Sequence, residues 1–187
     1  MEPTRMTLPR VLETYFVFPA WFNPRTRSQP ALEDYPIRTS EKLRFADTDR
    51  NGHVSNAVFA VCCQNARMEL LHDRSRVPLP IDAQFVVARL TLEFLKEMHW
   101  PGTVEIGTRL DHVGRSSVTI NQSLFVEGSC VANATSTVVL IDRSTRRATP
   151  FPHETASALQ TLANGAQPGK MRRNGAAVTA VNGISKE

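Results

Sequence analysis

One long helical stretch followed only by period-two segments limits this chain's fold more than any other feature. Between residues 54 and 73, Val54, Ala57, Val58, Val61 and Met68 recur at helical spacing, and Ala60, Cys62 and Cys63 fill more of the circumference. A helix that is apolar almost all round through its first half is a buried one. Its later half turns polar at Arg67, Glu69, His72 and Asp73, so it is expected to emerge there, with Arg67 and Glu69 as helix-surface charges. Pro78 and Pro80 stop any continuation. Upstream, residues 37–45 read as a first strand. Downstream, residues 84–95 are rich in Phe, Val and Leu, and residues 103–111 set Val104, Ile106, Thr108 and Leu110 on one face. Residues 116–127 set Val118, Ile120, Leu124 and Val126 on one side; residues 129–142 oppose Val138 and Leu140 to Val139 and Ile141. Alternation over such lengths means antiparallel strands with a covered face. Pro101-Gly102 and Gly128 mark turns. Strand, helix, then four strands predicts an α+β layout: an antiparallel sheet wrapped around one long central helix.

The ends differ from this body. Residues 1–35 carry much proline, but Tyr15-Phe16-Val17-Phe18 and Trp21-Phe22 are too aromatic for a free tail, so an N-terminal packing arm is expected. The domain then runs over 36–162. From 163 to 187 the composition is small and polar, which predicts a disordered tail. The 22 basic and 18 acidic residues give a net charge of +4, but Lys170, Arg172, Arg173 and Lys186 lie in that tail against Glu187 alone. The body is nearly balanced, without the basic stripe that a nucleic-acid face shows, so no nucleic acid is expected as a partner. No apolar run reaches the ~18 residues of a membrane span, and Met1-Glu2-Pro3-Thr4-Arg5 does not open like a secretory signal. Cys62, Cys63 and Cys130 form neither a disulfide framework nor a zinc spacing. They read as buried thiols in a reducing compartment, and the chain as cytoplasmic.

The chemistry is densest in Phe45-Ala46-Asp47-Thr48-Asp49-Arg50-Asn51-Gly52-His53-Val54-Ser55-Asn56. Carboxylates, an imidazole, amides and a glycine all fall between a strand end and the start of a buried helix. Free backbone N–H groups at such a helix start can bind an anion or polarise a carbonyl. Each residue also has a local explanation, since Asp, Asn and Ser favour turns and caps, and a single histidine is more often structural. Jointly, they are costly to hold beside a buried helix without a function. Asp47, Asp49 and His53 are conceivable metal ligands, but no second His or Cys cluster supports them. His72, His99, His112 and His153 look scattered, so neither a metal nor a cofactor is expected. Arg143, Arg146 and Arg147 read as a solvated strand-end cluster, or as attraction for phosphates. Cys62 and Cys63 read as core residues, with no adjacent base to activate them.

The run from Arg44 to Asn56 resembles the signature of the 4-hydroxybenzoyl-CoA thioesterase-like branch of the hotdog superfamily. It is also similar to the Asp-x-Asn-x-His pattern of plant acyl-carrier-protein thioesterases. Val113-Gly114-Arg115-Ser116-Ser117-Val118 resembles the family's Gly-Arg-Ser-Ser turn, and Ala134 to Asp142 resembles its closing strand. The resemblance covers roughly residues 37–142 and implies a hotdog fold. It implies a homodimer or homotetramer joined sheet edge to sheet edge, with active sites between protomers. The reaction implied is hydrolysis of an acyl-CoA or acyl-carrier-protein thioester. Asp49 maps onto the family's catalytic acid, Asn51 and His53 onto the amide and imidazole, and Asn56 onto the carbonyl-polarising N–H. Gly114, Arg115, Ser116 and Ser117 map onto a region near the pantetheine or phosphates of CoA. Two other readings keep the fold: a non-catalytic acyl-CoA-binding module, and a hydratase or dehydratase.

Overall fold

The computed structural model describes residues 29–165; the aromatic clusters of the N-terminal arm and the polar tail beyond residue 165 lie outside them. Strands β1 (Ile37–Lys42), β2 (Ala83–Phe94), β3 (Thr103–Val113), β4 (Ser117–Val126) and β5 (Ser129–Asp142) form one sheet in the order β1-β3-β4-β5-β2. Every pairing is antiparallel. Helix α1 (Asn56–His72) follows β1, and helix α2 (His153–Ala163) follows β5. The expected α+β layout, one antiparallel sheet against a long helix, is what the chain forms.

The alternation read from β3 holds, with Val104, Ile106, Thr108 and Leu110 all buried. Val118, Ile120 and Leu124 of β4 lie beneath the same layer, while Val126 is only partly buried, beyond a register shift at Leu124/Phe125. The first strand is shorter than expected. It ends at Lys42, and residues 45–47 form a single 3-10 turn.

Helix α1 corrects the expected burial. Its buried residues are Phe59, Cys62, Cys63, Ala66, Arg67, Leu70 and Leu71, one stripe along the whole length. Val61 and Met68, assigned to the core by spacing, are exposed at 47% and 46%. The helix does not emerge in its second half. Arg67 is buried because it stands one turn from both Cys63 and Leu70, inside that stripe. Its Nη1 donates to Gln122 Oε1 at 2.8 Å, and Gln122 Nε2 donates to the Cys63 carbonyl and to Thr108 Oγ1. Burial pulls the Arg67 guanidinium below its ordinary pKa, a cost offset by this hydrogen-bonded chain.

Helix α2 was not expected from the alternation. Phe151, Leu159 and Leu162 join Leu70, Leu71, Leu110 and Val118 in one core cluster. Its signal was present: Thr155, Leu159 and Leu162 follow Pro152 at helical spacing. On the other face of the sheet, Tyr35 is buried and shares a 2.5 Å hydrogen bond with Ser123. Its ring lies so close to Gly107 that a Cβ there would collide with it, which explains a glycine in mid-strand.

The two sheet edges differ. β1 is six residues long and carries Arg38, Ser40, Glu41 and Lys42. β2 is twelve residues long and leaves Val87, Leu90 and Phe94 exposed at 50%, 38% and 41%. The first edge is short and charged, as protected edges are; the second has the length and apolar surface of an edge that pairs with another chain.

Candidate active site

The polar motif forms a tightly bonded loop between β1 and α1. Asp47 closes its first turn, with Oδ2 accepting from Arg44 N at 2.7 Å, while its carbonyl accepts from Ser55 N. Thr48 and Val54 then face each other in an isolated antiparallel bridge, so residues 49–53 are the loop between them. Within it Asp49 N donates to the His53 carbonyl at 2.7 Å, and Gly52 N to the Asp49 carbonyl at 3.1 Å. Gly52 sits at φ +81°, where an L side chain is strained.

The Asp49 carboxylate is exposed and asymmetric. Oδ1 accepts from Asn51 N at 2.8 Å and from His53 N at 3.3 Å. Oδ2 has no partner among the described residues. The local turn role is therefore real for both Asp47 and Asp49, and it occupies half of the Asp49 carboxylate. The side chains of Asn51 and Asn56 are exposed. Asn56 is the first residue of α1, and Ser55 before it makes no side-chain cap hydrogen bond. Val58 N donates to the Ser55 carbonyl at 2.9 Å, while the N–H groups that open the turn lack acceptors within the helix and stand at its positive end.

The His53 imidazole does not bond the Asp49 carboxylate, which takes only the backbone N–H of that residue. Its Nε2 lies 3.4 Å from Glu97 Oε2, and its ring meets that of His99 edge to face at 5.1 Å. His99 is thus not a scattered histidine, and sequence reasoning missed both it and Glu97. Their signal is faint: two polar residues flanking Met98, more than forty positions from the motif. Beside the loop, Phe45 and Trp100 form an exposed edge-to-face pair with centroids 5.4 Å apart.

The thiols are poor nucleophiles. Burial pushes Cys62 up to about 12 and Cys63 up to about 11, so neither is appreciably ionised at neutral pH.

The second motif is the hairpin turn between β3 and β4, with Gly114 N donating to the Ser117 carbonyl at 2.8 Å. It lies at the opposite end of the sheet from the first. Lys42 pairs with Thr103 at the start of β3, whereas the turn follows Val113 at its end. At the ~3.3 Å rise of a strand residue, roughly 30 Å separate the two motifs within one chain. Exposed Arg115 shares the turn end with Arg143, Arg146 and Arg147, which are also exposed. The Leu140 N to Ser116 carbonyl hydrogen bond joins these segments. None of the four arginines forms an ion pair among the described residues.

Residues 43–159 match the family described as the thioesterase-like superfamily. The fold is similar to that of the PA5185 protein of Pseudomonas aeruginosa strain PAO1, with 27% identity, a TM-score of 0.65, and coverage of 74% of this chain and 99% of that one. It is also similar to a thioesterase of Thermus thermophilus solved with coenzyme A and Zn, with 28% identity, a TM-score of 0.63, and coverage of 71% and 98%. No curated protein matches the chain significantly.

Proposed function

Because the chain belongs to the hotdog-fold thioesterase-like superfamily, we propose that it hydrolyses an acyl thioester of coenzyme A or of an acyl carrier protein, with Asp49 as nucleophile or general base. The observation that carries this reading is the asymmetric Asp49 carboxylate. One oxygen is held by two backbone N–H groups and the other is free, on a loop tethered to an uncapped helix start. As a nucleophile, the free oxygen adds to the carbonyl carbon, the C–S bond breaks, and the thiolate leaves. Water then hydrolyses the mixed anhydride and restores the carboxylate. As a base, Asp49 takes a proton from water while the hydroxide adds, and that proton goes to the departing thiolate. In both routes the N–H at Asn56 stabilises the oxyanion. Asn51 orients the water, and Phe45 and Trp100 add apolar surface for the acyl group.

The second half of the site comes from a second copy. Val86 pairs with Val139 beside the Ser117 end of β4, and Phe94 pairs with Ala132 at the motif end. Two β2 edges joined antiparallel about a two-fold axis therefore bring the motif end of one protomer beside the Gly114–Ser117 end of the other. Arg115, Arg143, Arg146 and Arg147 of the second copy then face the phosphates of CoA. The minimal assembly is a homodimer. No helix among the described residues is long and apolar enough to cross a membrane, and the three free thiols suit a reducing, cytoplasmic setting.

Thiol release from aromatic, short-chain and long-chain acyl-CoAs tests the reading. At least one class is expected to turn over many times per chain. Acyl-CoA that stays bound and intact would make the protein a binding module instead. An enoyl or hydroxyacyl product with the thioester retained would make it a hydratase or dehydratase.

A further inference from the structure

We propose that His53, Glu97 and His99 form a binding site for one divalent transition-metal ion of the zinc class. The motif loop supplies one ligand, and the connection between β2 and β3 supplies two. The backbone sets this up. Val54 N donates to the Met98 carbonyl at 2.8 Å, which aligns the residue before Val54 with the residues flanking Met98. Met98 is 1% exposed, so its side chain is anchored in the core while Glu97 and His99 on either side of it turn outward. His53 stands against both.

The distances are open enough for a metal ion to sit between the three groups. Glu97 Oε2 is 3.4 Å from His53 Nε2 and 3.8 Å from His99 Nε2. A charge-assisted hydrogen bond would draw such atoms to ~2.7–2.9 Å. Two donors bound at ~2.0–2.1 Å to a tetrahedral zinc ion stand about 3.3–3.5 Å apart. The three ligand atoms all lie within 4.8 Å of one another, so small torsions of the exposed Glu97 and His99 side chains against the half-buried His53 complete the set. Two imidazoles and one carboxylate suit zinc, cobalt or nickel; magnesium and calcium take oxygen ligands. No other trio of this kind occurs among the described residues. A bound ion would clamp the motif loop to the β2–β3 connection and hold the His53 imidazole. The inference stands on this geometry and not on thioester hydrolysis, so it survives if no acyl-CoA is turned over.

The test is calorimetric titration of the full-length, tag-free protein with zinc chloride. The Glu97→Gln and His99→Ala variants are titrated alongside it, and all three are melted in chelator as the folding control. One equivalent is expected per chain, bound at least about tenfold more weakly by each variant. Cobalt(II) should give the intense visible spectrum of a four-coordinate site in the wild type and lose it in both variants. Zinc should raise the melting temperature of the wild type more than that of either variant. Equal binding by all three proteins would put the metal elsewhere and overturn the proposal, as would no binding by the wild type at about 100 μM metal.

Discussion

Asp49→Asn is expected to lower turnover at least ~10²-fold, the usual lower scale for a lost general base, while the melting temperature hardly moves. The substitution is nearly isosteric. The amide oxygen of an asparagine still accepts the N–H groups of Asn51 and His53, so the loop keeps its bonds. What disappears is the charge on the free oxygen, which both chemical routes require. Asp47→Asn should cost much less. Asp47 caps the 3-10 turn through Arg44 N, which an asparagine can also do, and the reaction as drawn asks nothing more of it. His53→Ala and Asn51→Ala should fall between. Steady-state hydrolysis of the best acyl-CoA by all four variants, with thermal melts alongside, checks the order. A dead Asp47→Asn with a near-normal Asp49→Asn would move the assignment to the first carboxylate of the motif. Four normal variants would leave the segment as a turn and a helix start.

The second large effect concerns the β2 edge. In the double substitution Val87→Glu plus Leu90→Glu, two exposed apolar side chains of one chain become charges that meet their own copies across a two-fold axis. A monomer of about 21 kDa by light scattering is expected, still melting cooperatively because these side chains lie outside the core. Activity should fall at least ~10²-fold in kcat/KM, since the carboxylate and the arginine-rich turn no longer meet. A monomer with full activity would mean that one chain holds a complete site. A dimer that persists unchanged would mean that another surface joins the copies.

Strands were legible here because period two is read directly from side chains, and β5 spans the expected residues 129–142. Helix α1 was legible as a helix but not as an oriented one. Val61 and Met68 fit helical spacing as well as Phe59 and Leu70 do, and only packing decides which stripe faces the sheet. Arg67 shows why residue type alone misleads, because a buried glutamine on β4 was needed to hold it. The motif loop was legible as a cluster, since Asp49, Asn51 and His53 are joined by local hydrogen bonds. Partners brought by tertiary structure were not. Glu97 and His99 reach His53 only through the Val54–Met98 pairing, and nothing local announces it. The separation of the two motifs by the length of β3 was likewise invisible, because sequence spacing does not say which end of a strand a turn occupies.

The central claim is a thioester hydrolase whose site joins Asp49 of one protomer to the Gly114–Ser117 end of another. Its most direct test is complementation between Asp49→Asn and Arg115→Glu chains, co-expressed with different tags and purified as the hybrid. Each variant alone should hydrolyse acyl-CoA poorly at low substrate. A hybrid dimer holds one site with both Asp49 and Arg115 intact and one with neither, so it should regain about half of the wild-type rate. A hybrid no more active than the two variants alone would contradict a site shared between protomers.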